Sequence, residues 1–334
     1  MADVIVNLVV VLFFIVLANV IVRLEDDRLC RLFDLGLLLI GIPVLLVGVF
    51  FVLAGNEQVA QMRAPTGELL FPFVTNAMVL GVVLQVTAVW QITISLRSTR
   101  VFLARFLPVN PASAVHMLAL VCAGWLVAVS LIQLTQSSVA EIVEAIGTLE
   151  LSSVVWQGVL FVLVALSGVG LFIRRSPQQA ITRLGLERLT GSQVLIGLAW
   201  IMVLVLVQAL AGALWWWLNP DESEQIQTLN LQLQAGLDSV WAWLALALAT
   251  GISEEILFRG ALQPVLGLWV TAVLFALVHV QYGLLTPATL ALLIIGLVLG
   301  ILRQRHNTTL AIFVHAGYNF ALGLMALLAG VMGV

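Results

Sequence analysis

Long apolar runs separated by short polar segments follow one another along the whole chain. A helix of about 20 consecutive apolar residues is long enough to cross the hydrocarbon core of a bilayer. By that rule the pattern predicts ten membrane spans, of which the eighth and ninth are short. We therefore expect an all-α fold, a polytopic membrane bundle of about ten transmembrane helices. The predicted spans are 4–22, 35–54, 73–95, 114–134, 154–173, 193–218, 239–261, 266–281, 288–302 and 308–331.

Composition indicates the same class of protein. Hydrophobic residues make up 62% of the 334 residues and charged residues only 9%, with a mean hydropathy of +1.15. Soluble domains carry about 25% charged residues, so this chain must place most of its surface in lipid. The net charge of -3 offers no basic surface for a polyanion, and we expect no nucleic-acid partner. Cys30 and Cys122 are expected to pack as small hydrophobic side chains.

The positions of the arginines predict how the chain is oriented. All 14 basic residues are Arg, and 12 of them lie in the first, third, fifth and ninth connections between predicted spans. Cytoplasmic loops are enriched in Arg and Lys, so we expect these loops in the cytoplasm and both termini outside. The first apolar run has no basic segment before it and no cleavage site, which favours a retained anchor over a signal peptide. The prediction is a multi-pass protein, in the cell membrane if the source is prokaryotic.

The seventh predicted span contains two adjacent carboxylates and an arginine: Glu254, Glu255 and Arg259. Ionisable groups at membrane depth are costly, and they are commonly functional or paired. Glu255 precedes Arg259 by four residues, the favoured order for a helical ion pair, so we expect this pair to be structural. Glu254 is rotated by about 100° from Glu255 around the helix and remains for another role. The alternative for Glu254 is a protonated acid that bonds to a neighbouring helix.

Two further pairs lie four residues apart, Phe275 with His279 on the eighth span and His315 with Asn319 on the tenth. A rise of about 1.5 Å per residue puts Glu254 about 14 Å, His315 about 10 Å and His279 about 20 Å from the cytoplasmic ends of their spans. The hydrocarbon core is about 30 Å thick, so the three side chains are expected near a common level. The alternative for each histidine is an ordinary hydrogen bond between helices.

A glutamate and a histidine in a low-dielectric pocket are suited to activating water. Burial raises the pKa of a carboxyl group, which would make Glu254 a competent general base, with His279 sharing the proton or orienting the water. His315 and Asn319 could donate hydrogen bonds to an oxyanion, or Asn319 could only complete a polar network. The alternative with the same residues is a zinc site formed by His279, His315 and Glu254. The spacing favours a metal-free site and leaves zinc as the alternative.

Taken together, these motifs resemble those of a known family. The pattern Glu254-Glu255-xxx-Arg259, then Phe275-xxx-His279, then His315-xxx-Asn319 is similar to the three motifs of the CPBP family. That family includes the type II CAAX prenyl endopeptidases and bacterial relatives linked to bacteriocin processing and immunity. The resemblance predicts two domains: an N-terminal membrane region of about five spans at 1–184, without an assigned function, and a CPBP-like catalytic membrane domain at 185–334. Residues 263–267 lack the basic side chains that are usual after the motif arginine.

The resemblance implies roles for individual residues. It implies that Glu254 is the catalytic glutamate, that His279, His315 and Asn319 are the other motif residues of the site, and that Glu255 and Arg259 fix the motif helix. Members of the family have been described both as metalloproteases and as glutamate-dependent proteases.

The function expected from the resemblance is an intramembrane endopeptidase that hydrolyses a peptide bond of a membrane-associated peptide or protein. Its partners would be membrane lipid and a peptide or membrane-anchored protein substrate, prenylated or not. One alternative is a non-catalytic membrane scaffold or immunity-type protein of the same fold. A lesser alternative is a proton-coupled transporter, against which the sequence has no inverted repeat.

Overall fold

The protein is built of helices. The computed structural model describes residues 2–332, without the side chains of residues 2–7, 146, 331 and 332. Within that range there is no strand, only two isolated β-bridges, and the predicted all-α class is confirmed. The helices are α1 (Ala2–Leu24), α2 (Asp27–Gln61), α3 (Ala77–Ser95), α4 (Arg97–Leu103), α5 (Ala114–Gln136), α6 (Val139–Ile146), α7 (Leu151–Gly168), α8 (Pro177–Leu184), α9 (Gly191–Leu218), α10 (Pro220–Gln234), α11 (Val240–Glu255), a π-helix (Ile256–Leu262), α12 (Gln263–Leu277), a 3₁₀-helix (Val280–Tyr282), α13 (Pro287–Arg305) and α14 (Thr308–Met332).

Eight helical stretches in the described chain are long and apolar enough to cross a membrane. The first predicted span corresponds to a shorter apolar stretch, Leu8–Leu24. Large apolar side chains face outward on these helices, among them Phe13, Leu53 and Leu195, which are 61%, 79% and 70% exposed. Such a surface is typical of helices that face lipid. The polytopic helical bundle is therefore confirmed, while the predicted orientation of its loops remains a prediction.

The seventh and eighth predicted spans are parts of one helical run, Val240–Leu277. Within it, Gly267 has φ 80° and ψ 171°, a backbone conformation that breaks the helix and turns the chain. Only residues 268–277 follow the turn, a length of about 15 Å at the helical rise per residue. The eighth predicted span, 266–281, is therefore wrong in extent, because the helix ends at Leu277 and is too short to cross a bilayer alone.

Glycines bring the helices of the C-terminal half into close contact. An ideal Cβ at Gly251 of α11 would lie 2.9 Å from the Cβ atom of Ala316 on α14. An ideal Cβ at Gly296 of α13 would lie 3.3 Å from the Cα atom of Ala272 on α12. Small residues of this kind let helix backbones approach closely in a membrane. As a result α11, α12, α13 and α14 meet around one region, which contains the polar motifs.

One hydrophobic cluster joins the two predicted domains. It contains Leu120 of α5, Leu204 of α9, Phe275 of α12 and Val314 of α14 among its buried members. In addition, α7 packs on α11 and on the π-helix. The division of the chain at residue 184 stays a prediction, and the packing runs across it without interruption.

Candidate active site

The motif helix changes its geometry directly after the two carboxylates. Helix α11 ends at Glu255, and residues Ile256–Leu262 form a π-helix. A π-helix leaves backbone groups without their usual partners and is frequent at functional sites. Here the carbonyl oxygen of Gly260 accepts a hydrogen bond of 2.9 Å from Nη1 of Arg183. The π-helix also carries Arg259, so the motif arginine lies on this widened turn and not on a regular α-helix.

Glu255 lies between a guanidinium group and an imidazole. Its side chain is fully buried, and its Oε2 atom lies 3.2 Å from Nε of Arg259, close enough for an ion pair although not aligned for a hydrogen bond. Its Oε1 atom lies 2.9 Å from Nδ1 of His315. A carboxylate can only accept, so Nδ1 of His315 carries the hydrogen. The expected pair between Glu255 and Arg259 is present, and the contact with His315 is additional.

Phe275 is the common neighbour of the motif side chains. The guanidinium carbon of Arg259 lies 4.4 Å from the centre of the Phe275 ring, a cation–π distance. The ring centres of His279 and His315 lie 4.9 Å and 5.8 Å from that of Phe275. A single buried ring therefore packs against three of the polar motif residues and holds both histidines in one neighbourhood.

Glu254 differs from Glu255 in having no partner. Its Oε2 atom is buried and makes no hydrogen bond, whereas the residue as a whole is only half-buried. Over the described chain, neither oxygen of Glu254 makes a hydrogen bond to His279 or His315. An unsatisfied buried carboxylate oxygen is costly, so this atom requires a water molecule or a ligand group. Among the described carboxylate oxygens of the two adjacent glutamates, it is the buried one that has neither a hydrogen bond nor an ion pair.

His279 lies just beyond the end of α12 rather than on its face. Helix α12 ends at Leu277, and the Nδ1 atom of His279 lies 2.7 Å from the carbonyl oxygen of Phe275. Because a carbonyl oxygen can only accept, Nδ1 carries the hydrogen and Nε2 is the acceptor of the neutral ring. The bond to the last turn of α12 fixes the orientation of the imidazole.

Asn319 contacts a residue that the sequence analysis missed. Its Nδ2 atom donates a hydrogen bond of 3.0 Å to Oγ1 of Thr250 on α11. Thr250 precedes Glu254 by four residues and so shares its helical face. The spacing of Thr250 and Glu254 could have identified Thr250 from the sequence, because it places a hydroxyl group one turn before Glu254 on the same helical face. Asn319 and Thr250 thus connect α14 to the face of α11 that carries Glu254.

The zinc alternative depends on how the motif side chains are arranged. Zinc needs three convergent protein ligands together with an open position. Within the described residues no group of three His, Cys, Asp or Glu side chains converges in that way. The Nδ1 atoms of the motif histidines are directed to oxygen partners, the carbonyl of Phe275 and the carboxylate of Glu255, which leaves both Nε2 atoms for other contacts. Zinc stays the alternative to the metal-free site.

The contacts of the described residues join Glu255, Arg259, Phe275, His279 and His315. The sequence analysis grouped His315 with Glu254 and His279, whereas the structure joins His315 to Glu255. Adjacent residues on a helix are about 100° apart, and the rotation of α11 turns Glu255 toward α14. A common depth in the membrane for Glu254, His279 and His315 stays a prediction.

Comparison with known proteins gives one match. Residues 236–321 match a family model described as type II CAAX prenyl endopeptidase Rce1-like. Curated proteins and solved structures gave no match. The matched segment covers about a quarter of the chain and includes all seven motif residues from Glu254 to Asn319. It is narrower than the predicted domain of 185–334, and it supports membership of the CAAX-type intramembrane proteases for the segment that it covers. Residues 236–321 are therefore similar to the Rce1-like family, which is consistent with the resemblance to the CPBP family.

Proposed function

We propose that the protein is an intramembrane endopeptidase in which Glu254 activates the attacking water. One observation carries the proposal: of the two adjacent carboxylates, Glu255 is occupied by Arg259 and His315, while Oε2 of Glu254 is buried and unpartnered. A base has to be free to take a proton, whereas a structural carboxylate has to be bonded. Glu254 meets the first requirement and Glu255 meets the second.

The proposed reaction is hydrolysis of an amide bond. Glu254 takes a proton from water, and the resulting hydroxide adds to the carbonyl carbon of the scissile bond. The tetrahedral oxyanion collapses, the C–N bond breaks, and Glu254 returns its proton to the leaving amine. Water and peptide are consumed and a carboxylate and an amine are formed, so the step needs no further reactant.

The two histidines are proposed to act at different stages. His279 has Nε2 as an acceptor, because its Nδ1 hydrogen is directed to the carbonyl of Phe275, and it would orient the attacking water. His315 is held through its Nδ1 atom by the carboxylate of Glu255, and in its doubly protonated form its Nε2–H group would donate to the oxyanion. Asn319 would be held for the same task by Thr250.

The proposed substrate is a membrane-associated peptide or a membrane-anchored protein. The domain that carries the site lies in an apolar helix bundle, so the scissile bond must come to it at or within the membrane.

The test is cleavage of a fluorescent membrane-anchored peptide by the purified protein in proteoliposomes, comparing wild type with Glu254→Gln. We expect cleavage to fall by a factor of about 1,000, because a positioned general base contributes about 100- to 10,000-fold. Glu224→Gln on α10 is the matched control, since Glu224 is exposed and far in sequence from the motifs, and it should retain full activity. Addition of a metal chelator to the assay should leave the wild type active.

Full activity of Glu254→Gln would contradict the proposed mechanism. Lack of cleavage by wild type across a peptide panel, with biological function kept in Glu254→Gln, would favour the non-catalytic scaffold. Solute flux driven by a pH gradient and lost in Glu254→Gln would favour the transporter.

A further inference from the structure

A second polar site lies outside the motif region, where α1 ends and α7 is joined to α8. A cavity of about 600 Å³ opens there to the surface. Its walls include Arg23 at the end of α1 and Arg174 and Arg175 from the connection. The described residues thus bring three guanidinium groups, from chain positions about 150 residues apart, to one opening. None of them belongs to the motifs of the proposed endopeptidase.

These arginines contact neutral oxygens and have no acidic partner. Nη1 of Arg23 donates to the carbonyl of Ile173 at 2.7 Å, and Nε of Arg174 donates to Oδ1 of Asn19 at 2.6 Å. Arg175 donates to a backbone carbonyl in the same way. Glu25 lines the cavity, yet no carboxylate of the described chain lies within ion-pair distance of these three arginines. The remaining N–H donors are available to a ligand.

The arginines also repel one another. Burial, followed by the charges of Arg175 and Arg183, lowers the pKa of Arg174 to about 10. Burial, followed by Arg175 and Arg303, lowers the pKa of Arg183 to about 10. Both groups remain charged at neutral pH, so the fold keeps several like charges together without internal compensation. A bound anion would supply that compensation.

The loop that carries the arginines has an unusual backbone. Phe172 has φ 61°, a conformation that is rare for a bulky side chain, and it is 78% exposed. Hydrogen bonds hold it there: its N–H donates to the carbonyl of Arg175 at 2.9 Å, and Gly170 accepts from Arg174 and Arg175. An exposed apolar ring at the end of a membrane helix gains by entering lipid rather than facing water. The loop therefore presents an apolar ring beside a basic cavity.

We propose that Arg23, Arg174 and Arg175 form a binding site for the phosphate group of an anionic lipid headgroup. Planar guanidinium groups bind phosphate oxygens in pairs, and basic pockets between membrane helices are suited to such headgroups. Phe172 lies among the acyl chains next to the bound headgroup. The same chemistry would accept free phosphate, and the experiment separates the two sources.

The experiment measures lipid retained by the full-length protein, using native mass spectrometry after exchange between phosphatidylglycerol and phosphatidylcholine. We expect selective retention of phosphatidylglycerol by wild type and a loss of about tenfold or more in Arg174→Gln/Arg175→Gln, since each bidentate charge-assisted contact is a strong one. The matched control is Arg28→Gln/Arg31→Gln, which removes two exposed arginines at the start of α2 that do not line the cavity. It should retain wild-type selectivity.

Equal loss of phosphatidylglycerol selectivity in both double variants would overturn the proposal, because selectivity would then depend on the total basic charge and not on the cavity. Unchanged binding in Arg174→Gln/Arg175→Gln would also overturn it. If that variant fails to fold, Arg23→Gln replaces it, with the same expected loss of selectivity.

Binding of the free ion is tested by adding inorganic phosphate to the protein in phosphatidylcholine. Free phosphate, and not lipid, would be the ligand if millimolar phosphate protects the protein against heat while the protein shows no selectivity for phosphatidylglycerol. Displacement of bound lipid only by an acidic peptide would contradict the assignment. The readout is binding, so it is independent of whether Glu254→Gln abolishes proteolysis.

Discussion

Two buried arginines, one in each half of the chain, are held in different ways. Arg100 of α4 is 3% exposed and has partners on all three guanidinium nitrogens. Nη2 lies 2.7 Å from Oδ2 of Asp34, Nε donates to the carbonyl of Pro111 at 2.9 Å, and Nη1 donates to the carbonyl of Ile94 at 2.8 Å. This is a group whose charge and hydrogen bonds are both compensated.

Arg259 is fully buried and much less well bonded. Its Nη2 atom donates to the carbonyl of Gly296 at 3.2 Å, while Nε and Nη1 have no hydrogen-bond partner. Glu255 and the ring of Phe275 compensate the charge. Hydrogen bonding is complete at Arg100 and incomplete at Arg259. This difference distinguishes a structural ion pair from the ion pair at the proposed catalytic site.

The largest expected effect is that of Arg259→Met. It leaves Glu255 buried with only His315 as a partner, and removal of one member of a buried pair costs about 3–5 kcal/mol. Stability would be measured as the free energy of unfolding in bicelles, and cleavage as above. Arg259→Met/Glu255→Gln should recover part of the loss, because it removes both charges. A loss below about 1 kcal/mol for the single variant would mean that the pair of Glu255 and Arg259 contributes no more than a surface ion pair.

Arg100→Met should have the next largest effect, on stability alone. It removes several charge-assisted hydrogen bonds, but Asp34, whose side chain is 20% exposed, can regain water. We expect a loss of about 2 kcal/mol in the free energy of unfolding, with the rate of peptide cleavage close to that of wild type. A loss of activity greater than that of Arg259→Met would remove the distinction between the two arginines.

A smaller effect is expected from Gly251→Ala, which separates the helices that carry Glu255 and His315. The new methyl group would meet Ala316 at 2.9 Å, and overpacking of this kind costs about 1–3 kcal/mol. Cleavage should fall with stability, because the bond between Glu255 and His315 lengthens. Gly212→Ala on α9 is the control, since no other group lies within 4 Å of its Cβ position. Equal losses of stability and cleavage in Gly251→Ala and Gly212→Ala would show that close packing at Gly251 does not determine these properties.

The smallest expected effect is that of Thr250→Val, which removes the acceptor of Asn319 without changing side-chain size. We expect a loss of about 1 kcal/mol in stability and about tenfold in cleavage rate. Thr87→Val is the control, because Thr87 is buried and donates only to the carbonyl of Val83 in its own helix. It should lose similar stability and no activity. Matching losses of activity would leave Asn319 without a special role.

Much of the fold could be predicted from the sequence, because bilayer thickness imposes a length on every apolar helix. The i, i+4 spacing of Glu255 and Arg259 likewise determined their pairing. Two features escaped. The turn at Gly267 lies inside an apolar run, where hydropathy does not change, and it shortened the eighth predicted span. The π-helix after Glu255 has no counterpart in hydrophobic periodicity.

The pairing of His315 could not be read from spacing. Two adjacent carboxylates lie on different faces of α11, and the one that meets α14 depends on how α11 is rotated about its axis. That rotation is set by packing between Gly251 and Ala316, which belong to helices distant in sequence. The sequence predicts the candidate residues and, from the i, i+4 spacing, the pairing of Glu255 with Arg259, whereas the contact between Glu255 and His315 depends on tertiary packing.

The hydrophobic cluster shared by α5, α9, α12 and α14 has a practical consequence for anyone who expresses residues 236–321 alone. Lipid tails are as apolar as the partner helices that would be missing, so the bilayer would cover the vacated surface. Such a fragment would insert, remain helical and resist extraction while losing the packing that positions Phe275 between the histidines. Successful insertion is therefore no measure of an assembled site, and fragments of this protein should be judged by cleavage alone.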